Sequence, residues 1–271
     1  MSETTELMQL CAEAARLGGT VLRDAFGRRR TIEYKGSGRI DLVTDADRAS
    51  EAALLEFLGA RCPGAAILSE ESGASGEADG RLRFIVDPLD GTTNYAHGIP
   101  QFAVNVAVED RQGLKAGATY DPLRGELYLG GLGEGATLNG EPIEISRCAD
   151  LVKAVLATGF PYDVQEKPEP PMRLFGAFIR RARAIRRMGS AALDLAYVAC
   201  GRFDGFWEVH LKPWDVGAGI LLVREAGGRV ANFDGDEGAV LTGGAICAAG
   251  PALQRLLLEV LAGVRGARQA P

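Results

Sequence analysis

The segment "LRFIVDPLDGTTN", residues 82–94, demands a fold that buries a strand and leaves acids at its end. Its apolar run reads as a short buried strand that stops at Asp87. Pro88 stiffens the turn that follows, and Asp90 returns a second carboxylate close to the first. Two anions held together require a cation or a shared proton. Gly91, Thr92 and Thr93 then read as an anion seat: glycine lets the backbone come close, the hydroxyls cap a helix start, and its N–H groups face an anion. Carboxylates beside such a seat would repel the anion, and a metal between them resolves both conflicts.

The donor chemistry narrows the metal. The chain has two histidines, and its five cysteines contain no CxxC pair, so a zinc site is poorly supplied. Oxygen donors select hard cations, Mg²⁺ first, then Mn²⁺ or Ca²⁺. Further acids stand where one element gives way to the next: Asp41 and Asp47, Glu70 and Glu71 in "ILSEESG", and Asp215 in "PWDVGAG". Singly, each reads as an ordinary turn or helix-start acid.

With 271 residues, 46% of them hydrophobic, the chain suits one compact unit of two packed halves. The boundary is expected near 147–152, giving halves at 1–148 and 149–271. A net charge of −6 argues against whole-molecule affinity for nucleic acid or anionic membrane. No basic-then-apolar leader and no spanning apolar run is present, so a cytoplasmic protein is expected, and widely spaced thiols fit that compartment.

Along the chain, "TELMQLCAEAARLGGTVLRDAF" places Leu7, Leu10, Cys11, Ala14, Val21 and Leu22 at helical spacing. A second helix is expected from the N-cap Thr44. Strands joined by Gly, Asn and Pro turns follow, giving a mostly antiparallel sheet. The second half alternates: strands near "KAVLATG", "AIRRM", "GFWEV", "RVANF" and "AICAA", helices near 172–183, from Ser190, from Asp215 and through "PALQRLLLEVLAG". "GLGEGA", residues 131–136, fits a dinucleotide fingerprint formally, but strand and turn follow it, so a hairpin is expected. In "RRARAIRR", residues 180–187, five of eight residues are arginine, and solvated arginines are the simpler reading than a nucleic-acid patch. No role is assigned to His97 or His210; Trp207 and Trp214 are expected to pack beside the site.

Metal beside a phosphate seat permits transfer or hydrolysis. A nucleotide cradle with lysine is absent, so hydrolysis of a phosphomonoester is the simpler chemistry.

"DPLDGTTNYAHGIP" and "WDVGAGILLVREAGG" resemble the two signature segments of the inositol monophosphatase family, Mg²⁺-dependent, lithium-sensitive phosphatases. "DLVTDAD", "SEES", "GEGATLNG" and "RRMGSAALDLAYVACGRFDGFWE" support it, the last pointing to the bacterial inositol-1-monophosphatase branch. The resemblance implies a layered αβαβα sandwich, α+β or α/β in class, usually dimeric. It also implies two or three Mg²⁺ ions, replaceable by Mn²⁺. Glu70, Asp87, Asp90, Asp215 and the Leu89 carbonyl would hold metal; Asp47 and Thr92, with Glu70, would activate the attacking water. Gly91 and Thr92 would donate to the phosphate, Gly189, Ser190, Ala191 and Glu208 would contact the polyol, and Asp90 would also count among the substrate-binding residues. Asp41 and Lys35 match positions near the metals. Ser69 stands where the family commonly has glycine, a departure expected to shift the loop slightly and leave Glu70 in reach.

The expected activity is hydrolysis of inositol 1-phosphate or a similar polyol phosphate by metal-activated water. Fructose 1,6-bisphosphate, histidinol phosphate and 3′-phosphoadenosine 5′-phosphate remain open as substrates, because the fold does not fix the substrate. A binding role in transcription or ribosome assembly also remains open, with the arginine run as its support.

Overall fold

The computed structural model describes residues 2–27, 32–34, 42–76, 81–242 and 244–266. Lys35 and Asp41 lie outside the described residues. Helix α1 (Glu3–Ala25) starts at Ser2, whose hydroxyl accepts from the Thr5 amide. It buries Leu7, Cys11, Ala14 and Leu22, one face at the spacing expected. The short strands β1 (Ile32–Tyr34) and β2 (Leu42–Thr44) pair antiparallel before α2 (Asp45–Arg61). Thr44 and Asp47 close a reciprocal capping box at the start of α2.

Eight strands form the large sheet: β3 (Ala66–Ser69), β4 (Gly73–Ser75), β5 (Arg83–Asp90), β6 (Ala103–Asp110), β7 (Gly113–Asp121), β8 (Glu126–Gly131), β9 (Gly135–Leu138) and β10 (Glu141–Pro142). Their order is β10-β9-β8-β7-β6-β5-β3-β4, and every pair is antiparallel except β3 with β5. "GLGEGA" is the β8–β9 connection, a hairpin as expected. The short helix α3 (Thr92–Ala96) interrupts the passage from β5 to β6.

The second sheet takes β11 (Val155–Thr158), β12 (Ala184–Arg186), β13 (Gly205–Leu211), β14 (Arg229–Ala231) and β15 (Gly244–Ala249) in the order β12-β11-β13-β15-β14. Helix α4 (Pro171–Ile179) is shorter than the expected 172–183, because the chain leaves it to pair β12 in parallel with β11. Helix α5 (Ala191–Ala199) follows its cap Ser190, and α6 (Pro213–Glu225) begins two residues before Asp215, with proline in its first turn. Helix α7 (Pro251–Gly266) is the last described element.

The elements stack in five layers. Helices α1 and α2 cover one face of the large sheet; α5 and α6 lie between the sheets; α4 and α7 back the small sheet. The expected αβαβα sandwich is the observed one. Helix α6 touches β5 through β9 on one side and β14 and β15 on the other. Its close seat depends on Gly117 of β7, where a Cβ would stand 2.7 Å from the Ala218 Cα. No described helix is long and apolar enough to cross a membrane, and all five cysteines are free thiols.

Candidate active site

Residues three apart on a regular strand point to opposite faces. On β5 this alternation is broken: Asp87 pairs with Asn105 and Asp90 with Ala103, so three steps on β5 match two on β6. The extra residue is a bulge at Pro88–Leu89, and it turns both carboxylates into one cavity. That cavity, about 610 Å³, opens between the end of β5 and the second sheet. The Pro88 carbonyl freed by the bulge accepts from the buried Ser50 hydroxyl at 2.9 Å, and the Leu89 amide donates to Asp87 at 3.0 Å.

Glu70 reaches the same cavity from the loop after β3. The buried Glu51 of α2 anchors this loop, accepting from the Ser69 hydroxyl, the Glu71 amide at 3.2 Å and the Ser72 amide at 3.1 Å. Ser69 is therefore a tie rather than a disturbance: its hydroxyl fastens the loop, and Glu70 remains on the wall. Glu71 contributes its amide to this anchor and does not line the cavity. Asp215 arrives on the first turn of α6, accepting from the Lys212 amide at 2.6 Å. Asn105, opposite Asp87 on β6, donates to the Trp214 carbonyl at 2.6 Å and so pins that turn against the strand. The Thr119 hydroxyl fixes the Asn105 amide from behind at 2.7 Å.

The electrostatics follow from burial. Asp87 is held well above the usual carboxylate range by burial first, then by Glu70, Asp90 and Asp215. Asp90 is pushed up to about 6 by burial, although the Ser190 hydroxyl and the Ala192 amide donate to it. Asp215 is raised by burial and by Asp90. Among the described residues no three His, Cys, Asp or Glu side chains converge into a closed cage of their own. The four acids instead ring an open cavity, where Glu70, Asp90 and Asp215 raise the proton affinity of Asp87, and the chemistry of an oxygen-only donor set fits a hard divalent cation.

Thr92 lines the cavity, and its hydroxyl lies 3.1 Å from both the Asp47 carboxylate and the Leu89 carbonyl. The expected hydroxyl cap of α3 is not formed: Gly91 is the N-cap, and the buried Thr92 hydroxyl turns to the carboxylate, a stronger acceptor. Asp47 is fully buried behind Thr92, accepts from the Thr44 amide at 2.8 Å and hydroxyl at 2.5 Å, and does not line the cavity. Burial raises its pKa despite those donors. Gly91 has φ +95°, and a Cβ there would stand 3.0 Å from the Gln101 carbonyl and 3.2 Å from that of Gly189.

The opposite wall carries Gly189, Ser190, Ala191 and Glu208. Ser190 is committed to Asp90 and to the Leu193 amide, which it caps. Glu208 sits where β13 and β15 lose register between Glu208 and Leu211, and burial, then Asp215, push it up to about 8. Its carboxylate occupies the space a side chain at Gly159 would need, since a Cβ there would lie 2.2 Å from Oε1. Sequence reasoning missed Gly159, Asn105, Glu51, Asp194 of α5 and His210, which lines the cavity at φ +65°. A φ in that region on a residue other than glycine marks strain, but no sequence signal carries it. Trp207 is buried in the core beside the site and Trp214 lines the cavity. The five arginines of 180–187 are all exposed, and Arg187 alone of them lines the cavity.

The fold and the site together define an acid-lined cavity set between two sheets of a layered sandwich. A sequence profile of the inositol monophosphatase family matches residues 3–265, and the chain belongs to that family of phosphatases. It is 42% identical over 233 residues to an inositol-1-monophosphatase of Synechocystis, covering 86% of this chain and 81% of that one. It is 40% identical over 255 residues to the Nus factor SuhB of Pasteurella multocida, covering 94% of each. The crystal structure of the extragenic suppressor protein suhB of Bartonella henselae superposes with a TM-score of 0.88 at 38% identity, covering 94% of this chain and 98% of that one.

Proposed function

We propose that this protein is a Mg²⁺-dependent phosphomonoesterase acting on inositol 1-phosphate or a closely similar polyol phosphate. The observation that carries this reading is the convergence of Glu70, Asp87, Asp90 and Asp215 on one cavity, where the other three raise the proton affinity of Asp87. Mg²⁺ would be held by these four carboxylates and the Leu89 carbonyl, and when bound it supplies positive charge for the phosphate and makes water more acidic. Thr92 then stands at the cavity wall as the first acceptor of a proton from water. Its own proton moves from Oγ1 to Asp47, 3.1 Å away, so Asp47 acts through Thr92 rather than on the substrate. Gly91 keeps the backbone close to the phosphate, and Glu208 accepts hydroxyls of the alcohol. An acid at that place offers a second phosphate no cation, which weighs against fructose 1,6-bisphosphate and 3′-phosphoadenosine 5′-phosphate.

Phosphate release from inositol 1-phosphate, fructose 1,6-bisphosphate and 3′-phosphoadenosine 5′-phosphate, each with and without Mg²⁺, tests this directly. The expected result is Mg²⁺-dependent preference for the first, reduced at least ~10³-fold in Asp90→Asn. Equal turnover without Mg²⁺, or full activity in Asp90→Asn, would remove the metal assignment.

The name of the Pasteurella relative favours a second reading, a transcription-related partner bound by the same chain. A partner captured equally by the parent and by Asp90→Asn supports it as a role separate from turnover, and a capture lost with Asp90 counts against it.

A further inference from the structure

Helix α5 is apolar along its length except for Asp194: its residues read "AALDLAYVA". The Asp194 side chain is 1% exposed, and its Oδ1 has no hydrogen-bond partner. An unpaired buried carboxyl costs stability, and alanine or leucine would continue the helix without that cost. Asp194 nevertheless lies on the cavity wall with Glu208. The charged groups facing it are Glu208 and Asp90, with the exposed Arg187 as the opposing cation. Unlike Asp90, it is not engaged with Ser190 or the α5 amides.

We propose that Asp194 is a substrate-recognition residue whose carboxyl, together with Glu208, accepts hydroxyls of the phosphorylated polyol. The assignment rests on the phosphatase reading above and extends it. Glu208 alone engages few hydroxyls, whereas two carboxyls on one wall match an alcohol with several adjacent hydroxyls and no second phosphate. Oδ1 is closed to water in the free protein, so a substrate hydroxyl pairs with it only as the Asp194 side chain turns toward the cavity it lines. A site built to pair a hydroxyl discriminates strongly against an analogue lacking it, because its polar group is then left buried and unpaired.

The test compares kcat/KM for inositol 1-phosphate with kcat/KM for 4-nitrophenyl phosphate, whose leaving group has no free hydroxyl, using the full chain with Mg²⁺. In Asp194→Ala and Asp194→Leu the ratio of the two is expected to fall at least about tenfold. The thermal unfolding midpoint is expected to stay level or rise, since the lost group had no partner inside the fold. An unchanged ratio in either folded variant overturns the role of Asp194. Equal loss on both substrates with a lowered midpoint overturns it too, because that is the signature of a structural residue. A parent protein that turns over neither ester rejects the phosphatase reading and this inference with it; one that hydrolyses both without preferring inositol 1-phosphate rejects the polyol substrate and the inference, and a preference that survives Asp194→Ala rejects only the inference.

Discussion

Glu208 and Gly159 show how a missing side chain can place a present one. A methyl at residue 159 cannot share the space now held by the Glu208 carboxylate, with Oε1 only 2.2 Å from the ideal Cβ. Gly159→Ala is therefore expected to displace Glu208 and raise KM for inositol 1-phosphate by about tenfold, with a smaller effect on kcat; steady-state kinetics on a folded variant check this. Asp87 and Asp90 were legible because acids packed around proline at the end of an apolar strand have few purely structural uses; Glu70 read singly as an ordinary turn acid, and only the family resemblance set it apart. Gly159 was not, since a glycine after "VLAT" reads as a turn. Asp194 was not, because the helix around it reads as core and its neighbours hide the fact that one side faces a cavity.

Between α6 and β6, a single amide does what no local pattern announces. Asn105 holds the Trp214 carbonyl and is itself held by Thr119, so the turn bearing Asp215 is fixed against the strand bearing Asp87's partner position. Asn105→Ala is expected to weaken Mg²⁺ binding by about 10–100-fold, the usual cost of removing a supporting group behind a metal ligand. Titration calorimetry with Mg²⁺ reads the loss, and unchanged affinity would show that α6 is held by packing alone. The elements themselves were largely legible, including the β8–β9 hairpin and the N-cap Thr44, since these depend on local spacing and turn chemistry. The bulge on β5 and the seat of α6 on Gly117 were not, because both are set by neighbours far away in the chain.

For the molecule as a whole, the acids that line the cavity tie stability to pH and, through the Mg²⁺ proposed above, to metal. Glu208 ionises near 8 in the folded protein against an unfolded value near 4.5, so the folded state holds its proton where the unfolded state has released it. A raised carboxyl contributes stability that is full below the unfolded value and is lost as pH climbs to the folded one. Asp90, raised to about 6, and Asp87 and Asp215, both held well above the usual carboxylate range, act in the same direction. In chelator the unfolding midpoint is expected to fall as pH rises from about 4.5 to 8. One Mg²⁺ concentration, a hundredfold above the Kd at pH 8, should restore about 5 °C or more at pH 8 and little at pH 5, where protons compete for the same acids. Calorimetry at the two pH values decides; a Mg²⁺ effect independent of pH would contradict the assignment of these acids to the metal.

The cavity also has an order in time. Its acids enter the chain at Glu70, Asp87 and Asp90, while Asp215 and the helix that presents it come more than a hundred residues later. On the ribosome, where chains grow from the amino terminus, the large sheet is complete while one wall of the pocket is still unmade. The nascent protein must therefore carry an unbalanced acidic strand end through much of its synthesis, and the cavity gains its fourth acid only when its last layers close.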